Sequence, residues 1–107
     1  MAAFKLNTNR TFTARVSITV QDENGKDVTG EFGAEYRVVP IDPDAAVDID
    51  LDEVLVRVFD LEIIGDNGEQ LTGDALLEAA KRDPAARIAL IGTYRAKQTK
   101  KNLVKIS

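Results

Sequence analysis

"FTARVSITV", residues 12–20, alternates strictly between apolar and polar side chains. The apolar members lie on one side of an extended chain: Phe12, Ala14, Val16, Ile18 and Val20. The polar members lie on the other side: Thr13, Arg15, Ser17 and Thr19. A period of two residues is typical of a strand that buries one face. The sequence therefore predicts a half-buried β-strand, whose apolar face the rest of the chain must cover.

A second run, "GEFGAEYRVV" at 30–39, alternates in the same way and places four apolar side chains on one face: Phe32, Ala34, Tyr36 and Val38. Between the two runs, Asn24-Gly25 is a strong signal for a β-hairpin. A plain two-residue turn there would set apolar Ile18 opposite polar Glu31, although antiparallel partners share a face.

The even-numbered residues of one strand must therefore lie opposite even-numbered residues of the other, so that apolar side chains share a face. We expect Val16 to lie opposite Phe32 or Ala34. This needs a connecting loop with an odd number of residues, or a bulge near Thr29-Gly30, where glycine can adopt a positive φ. Upstream, Phe4 and Leu6 share the parity of the first strand, so they either extend it or add a short third strand.

Residues 42–53, "DPDAAVDIDLDE", concentrate six carboxylates: Asp42, Asp44, Asp48, Asp50, Asp52 and Glu53. Such a cluster is compatible with a metal site or with the start of a helix. An EF-hand calcium loop needs a carboxylate at its fifth position and glycine at its sixth, where this stretch has Ala46 and Val47. We therefore expect Asp44, Asp48 and Asp50 to bind no structural calcium.

The helical alternative rests on the residues that follow. Five apolar residues have the spacing of a helix stripe: Leu51, Val54, Leu55, Val58 and Phe59. Asp50 stands at the N-cap position, and Glu53 follows three residues later as in a capping box. A helix is therefore predicted over 51–59, although the β-branched residues of "VLVRVF" favour a strand.

The remaining chain predicts a turn and two more helices. The turn lies at 66–68, and Thr72 is the predicted N-cap of a helix that buries Leu76, Leu77 and Ala80. Asp83 is placed to cap a last helix from Pro84, since proline suits the first helical position. That helix carries an apolar set and then a basic set: Ile88, Leu90, Ile91 and Tyr94; Arg95, Lys97, Lys100 and Lys101.

Together these elements predict a single α+β domain over 1–107. We divide it into a β-hairpin part at 1–39, a connector at 40–50 and a helical part with about three helices at 51–102. A tail at 103–107 is expected to fray, since it buries little.

Composition limits the chemistry of this 107-residue chain, which contains neither Cys nor His. Disulfides, thiol nucleophiles and imidazole catalysis are excluded. "GDNGEQLTG" lacks the Lys-Ser/Thr pair of a phosphate-binding loop. We expect no enzyme activity, no metal and no cofactor. The start of the chain lacks the apolar core of a secretory signal, and no run reaches the ~18 apolar residues of a membrane span, so we expect a cytoplasmic location.

Charge is distributed unevenly along the chain. Residues 1–80 contain 6 basic and 17 acidic side chains, whereas residues 81–107 contain 8 basic and 1 acidic. This asymmetry indicates partner binding or self-association through opposite ends. The basic end is also the basis of an alternative function, a small nucleic-acid-binding accessory protein, although no base-reading fold is recognisable.

The order of short motifs resembles the tail assembly chaperones of long-tailed bacteriophages and prophages. The motifs that carry this resemblance are "FKLN" (4–7), "FTARV" (12–16), "FGAEYR" (32–37), "LDEVLVRVF" (51–59), "DNGEQLTGDALLEAA" (66–80), "DPAARIALIGTY" (83–94) and "KKN" (100–102). Each motif is weak alone, and their order along nearly the whole chain carries the weight. Members often have Trp where this chain has Phe59.

The resemblance implies a non-enzymatic protein. Such chaperones coat the tape measure protein, keep it soluble and help to recruit tail tube subunits, and they are absent from the finished virion. We therefore expect the tape measure protein as partner, the tube protein as a second partner, and self-association. The candidate partner-binding residues are Phe59, Leu77, Tyr94, Arg95, Lys97, Lys100 and Lys101, with the alternative that the apolar ones belong to the core.

Family members often also occur in a longer form made by ribosomal frameshifting. Lys100-Lys101-Asn102 can be encoded by a slippery AAA-AAA-AAC heptamer. One hypothesis is therefore that this chain is the short form, and the alternative is that "KKN" is simply a basic helix end.

Overall fold

A long antiparallel hairpin opens the computed structural model, which describes residues 3–5, 9–39 and 49–106, with side chains as far as Lys97. Strand β1 (Thr11–Gln21) pairs with β2 (Asp27–Arg37) along its whole length. Val16 lies opposite Phe32, which confirms the first of the two expected registers. The connecting loop has the odd length that the register requires, residues 22–26, and Gly25 adopts a φ of 77° within it.

The alternative, a bulge near Thr29-Gly30, does not occur, because the five-residue loop already sets apolar residues opposite apolar ones. Thr29 pairs with Thr19 and Gly30 with Ile18, both in regular ladder positions. An irregularity does occur further along β2, between Glu35 and Tyr36, where the register to the third strand shifts.

The prediction of a helix over 51–59 is wrong beyond the first helical turn. Helix α1 is only Leu51–Val54, and the chain then continues as strand β3, Leu55–Phe59. β3 pairs antiparallel with β2, giving a sheet of order β1-β2-β3. The β-branched side chains of "VLVRVF" favour an extended chain, and pairing with β2 satisfies the backbone groups that a helix would have bonded internally.

Among the described residues, the third strand therefore comes from within the part assigned to helices. In the described segment 3–5 there is no strand, and Phe4 is exposed. Leu6 and most of the predicted connector at 40–50 lie outside the described residues. After β3, the turn at 66–68 forms as predicted, closed by the amide of Gly68 on the carbonyl of Gly65 at 3.0 Å.

Two longer helices cover one face of the sheet. Helix α2 is Gly73–Arg82, and helix α3 is Pro84–Ile106. Asp83 caps α3 as predicted, since its Oδ2 accepts the amide of Ala86 at 2.9 Å. Thr72 occupies the N-cap position of α2, but its side chain makes no capping bond. The architecture is thus a three-stranded antiparallel sheet with helices following it in sequence, in the α+β class that the sequence predicts.

The core lies between the inner face of the sheet and α3. Its largest fully buried side chains come from β1, β2, α1 and α3: Val16, Phe32, Tyr36, Leu51 and Leu90. The Tyr36 hydroxyl donates to the carbonyl oxygen of Leu90 at 2.8 Å and so joins β2 to α3. Phe12, Tyr36 and Tyr94 form an aromatic cluster with ring centroids 5.3–5.9 Å apart. Ile88, which the sequence places in the same apolar set of α3 as Leu90 and Tyr94, is 73% exposed.

The cap of α1 provides a first test. Asp50 Oδ1 accepts the amide of Asp52 at 3.0 Å, as the N-cap prediction requires. Asp50→Ala should lower the free energy of unfolding by about 1 kcal/mol, since one amide loses its acceptor. Asp50→Asn keeps an acceptor and is the control. Equal loss in both variants, measured by urea denaturation, would show that the cap is not the cause.

The buried tyrosine makes stability depend on pH. Burial raises the pKa of the Tyr36 hydroxyl above its ordinary value. Tyrosine in the unfolded chain ionises at about pH 10. Above that pH the unfolded chain releases a proton that the native chain keeps, so the free energy of unfolding falls. Tyr36→Phe removes this contribution. Its free energy of unfolding should therefore fall less than that of the wild type between about pH 8 and pH 11; identical slopes would contradict the assignment.

Candidate functional site

An apolar groove lies where β1, the segment after β3 and the junction of α2 with α3 meet. Most of its lining is aliphatic: Ile18, Leu61, Ile63, Ile64, Ala79, Pro84 and Ala86. Three charged side chains also line it: Glu62, Arg82 and Asp83. Ile64 is 61% exposed, which is unusual for so large an apolar side chain beside other apolar groups.

Local structure explains how the groove is built. Ile18 continues the inner face of β1 just past the part that α3 covers, so it is only half-buried. The segment 61–64 is held extended because the amide of Leu71 donates to the carbonyl of Ile63 at 2.9 Å. Ile64 also bridges to Gln70. The opposite wall forms at the sharp α2–α3 junction, where Ala79 and Ala86 leave room.

The apolar side of the hairpin continues beyond the groove. Val20 and Val28 face each other across β1 and β2 and are 43% and 48% exposed. Gly30 lies opposite Ile18, and nothing lies within 4 Å of the position that a Cβ on Gly30 would take. The inner face of the hairpin is therefore exposed from the Val20–Val28 pair to its tip.

Lys81 is the one charged residue in the core of the described chain. Its Nζ lies 3.1 Å from an Asp52 carboxylate oxygen and 3.3 Å from one of Glu78. Burial opposes the charge, but the two carboxylates more than offset it and hold the pKa of Lys81 above its ordinary value. The Lys81–Asp52 ion pair joins α2 to α1, so we assign Lys81 a structural role.

The predicted partner-binding residues do not come together in one site. Tyr94 is buried in the aromatic cluster, so its selection as an exposed contact is corrected: it is a core residue. Leu77 is half-buried and packs against the core. Phe59 is half-buried at the end of β3, with the Arg57 guanidinium 4.8 Å from its ring centroid. It lies on the outer face of the sheet, away from the groove.

The predicted basic residues lie along the distal part of α3. Arg95 and Lys97 are exposed. Lys100 and Lys101 belong to the same helix, and their side chains are outside the described part of the molecule. Basic side chains with described ion-pair partners lie elsewhere. Besides Lys81, Arg15 binds Asp60 at 2.8 Å and Arg57 binds Glu35 at 2.7 Å on the outer face of the sheet.

The acidic stretch at 42–53 is only partly described. Asp42, Asp44 and Asp48 lie outside the described residues, so the prediction that they bind no calcium stays a prediction. Within the described part of the chain, no group of three acidic side chains is placed to hold a metal ion. Asp50 and Asp52 have structural roles there, in the cap of α1 and the contact with Lys81.

Sequence reasoning missed the groove because its residues carry no shared pattern. "LEII" (61–64) has no regular apolar spacing, and Ala79, Pro84 and Ala86 resemble ordinary helix residues. The only available signal was the apolar density of Ile63 and Ile64 in a segment with no period of two or of 3.6 residues. Three separate segments have to converge before their apolar atoms form one surface.

Comparisons with family models, with curated proteins and with solved structures found no match to this chain. Among the described helices, none has both the length and the apolar character needed to cross a bilayer.

Proposed function

We propose that this protein is a tail assembly chaperone that binds the phage tape measure protein in the bacterial cytoplasm, without catalysis, and is absent from the finished virion. The resemblance in motif order supports this function. The structural observation that supports it best is the groove lined by aliphatic side chains, with Ile64 exposed at its surface.

The chemistry of the groove suits one kind of ligand, the apolar side of an amphipathic helix. Ile18, Ile63 and Ile64 would contact the apolar side chains of that helix, spaced at i, i+3 and i+4. Ala79 and Ala86 are small enough to let the helix come close to the α2–α3 junction. Glu62 and Arg82 would contact its polar margins. A tape measure protein, being long and helical, offers many such segments.

The charge of the protein is compatible with this role. A chaperone that covers apolar helices must keep the resulting complex in solution, and a net charge of −4 opposes aggregation of coated chains. Recruitment of the tube protein would then fall to another surface, for which exposed Arg95 and Lys97 on α3 are candidates.

Co-expression tests the proposal. The tape measure protein encoded beside this gene should be soluble and co-purify with the wild-type chain. Ile64→Asp should weaken that co-purification at least tenfold, because a carboxylate would be buried in an apolar contact at a cost above about 1.4 kcal/mol. Ile88→Asp is the matched control, since Ile88 is 73% exposed on α3 and lies outside the groove.

Two results would contradict the proposal. One is a tape measure protein that stays insoluble and unbound in the presence of the wild-type chain. The other is salt-sensitive binding of DNA that depends on Arg95 and Lys97, which would favour the alternative function as a nucleic-acid-binding accessory protein. Unchanged binding by Ile64→Asp, with the tape measure protein still captured, would place the contact elsewhere.

A further inference from the structure

The outer edge of strand β1 has no partner strand among the described residues, because the sheet order is β1-β2-β3. Two hydrogen bonds between the arms of the hairpin, one at each end of β1, show which residues bond to β2 and therefore which ones face the outer edge. The amide of Val38 donates to the carbonyl of Arg10 at 3.0 Å, and that of Asp22 to Lys26 at 2.9 Å. Both join residues directly opposite in the register of the hairpin.

In an antiparallel ladder, hydrogen-bonded and non-hydrogen-bonded pairs alternate. The even-numbered residues of β1 therefore bond to β2. The odd-numbered residues direct their N–H and C=O groups outward: Thr11, Thr13, Arg15, Ser17, Thr19 and Gln21. The side chains of these residues are all exposed.

This edge lacks the features that usually prevent pairing between strands of different molecules. Edge strands are commonly protected by proline, by lysine, by a bulge or by shortness. β1 has 11 residues without Pro, Lys, Gly or an acidic side chain, and its pairing with β2 shows no bulge. Its single charged side chain, Arg15, is paired with Asp60 at 2.8 Å and Glu31 at 3.8 Å.

We propose that β1 pairs with β1 of a second copy of this chain, antiparallel and with the two-fold axis at Val16, so that two sheets join into one of six strands. A two-fold interface needs a surface that complements itself, and β1 carries no acidic group that would repel the same strand of a second copy. This inference concerns only β1 and does not depend on the proposed function.

The register follows from overlap and charge. With the axis at Val16, Thr11 lies opposite the partner's Gln21, and the two strands overlap along their full length. Arg15 then lies opposite the partner's Ser17, which is small, and Glu31 of the partner subunit follows in the next strand. An axis at Arg15 would instead set two guanidinium groups face to face, which is unfavourable. On the other face, exposed Val20 comes to lie beside the partner's Phe12.

Sedimentation equilibrium of the wild-type chain should give twice the chain mass of 11.7 kDa. Ser17→Pro should give the mass of one chain, because it removes an outward N–H without removing a bond to β2. Ser17→Val keeps that N–H and should remain dimeric. A wild type of single-chain mass would overturn the proposal, as would a dimeric Ser17→Pro with the wild-type circular dichroism spectrum.

Cysteine cross-linking decides the register, and also decides the proposal if Ser17→Pro does not fold. The natural chain has no cysteine, and hydrogen-bonded partners lie with Cα atoms about 5.5 Å apart, within disulfide range. The double variant Thr13→Cys/Thr19→Cys should form a covalent dimer under mild oxidation, since these positions lie opposite across the axis. Each single variant should stay monomeric on a non-reducing gel. Absence of the covalent dimer in the double variant would refute the pairing.

Discussion

Tyr94→Asp is expected to unfold the protein at room temperature. The Tyr94 ring is buried, and its centroid lies 5.9 Å from that of Phe12 and 5.3 Å from that of Tyr36. Loss of a buried aromatic ring costs about 3–5 kcal/mol, and a buried carboxylate without a partner adds to this. A domain of this size has only about 5–15 kcal/mol in total, so little or no native protein should remain.

Ile88→Asp on the same helix is the matched control. Ile88 is 73% exposed, so the same chemical change there should alter the free energy of unfolding by no more than about 0.5 kcal/mol. Circular dichroism and urea denaturation separate the two variants. A folded Tyr94→Asp protein with reduced partner binding would contradict the assignment of Tyr94 to the core and restore it as a contact residue.

Gly33→Ala should destabilise the sheet by about 1–3 kcal/mol, because the added methyl group would overlap the ring of Phe59. Gly33 lies opposite Phe59 in the β2–β3 register, and the aromatic ring covers the position that a side chain would occupy. The ring would have to turn away, and its contact with Arg57, now 4.8 Å from the centroid, would be lost.

Gly30→Ala is the control on the same strand, since nothing lies within 4 Å of the position of its added Cβ. It should be neutral or slightly stabilising, because alanine suits a strand better than glycine does. In a Phe59→Ala background, Gly33→Ala should lose most of its cost, which a double-mutant cycle measures as coupling. An unchanged cost in that background would mean that Phe59 is not the obstacle.

The hairpin was predictable to within two registers because it depends on residues that are close together in the sequence. Parity alone required Val16 to face Phe32 or Ala34, and the five-residue loop at 22–26 realises the first option. The caps at Asp50 and Asp83 were also predictable, since an N-cap depends on residues within one turn of helix.

The local sequence does not decide whether β3 forms a strand or a helix. "LVRVF" at 55–59 fits a helix stripe when Leu51 and Val54 are included, and fits a strand when they are not. The free edge of β2, contributed by residues about 20 positions earlier, decides between them. Similarly, Ile88 and Tyr94 belong to the same apolar set of α3 in the sequence. Only the packing of α3 against β1 shows that Ile88 is exposed and Tyr94 is buried.

Hydrogen exchange tests the central claim, that the groove around Ile64 binds an apolar helix, most directly. Amide exchange would be compared for the chain alone and for the chain saturated with a soluble helical segment of the tape measure protein. Added protection is expected at residues 61–64 and at the α2–α3 junction, 79–86, and Ile64→Asp should abolish the protection of both segments. Protection confined to α3 from Arg95 onward, or no change at 61–64, would contradict it.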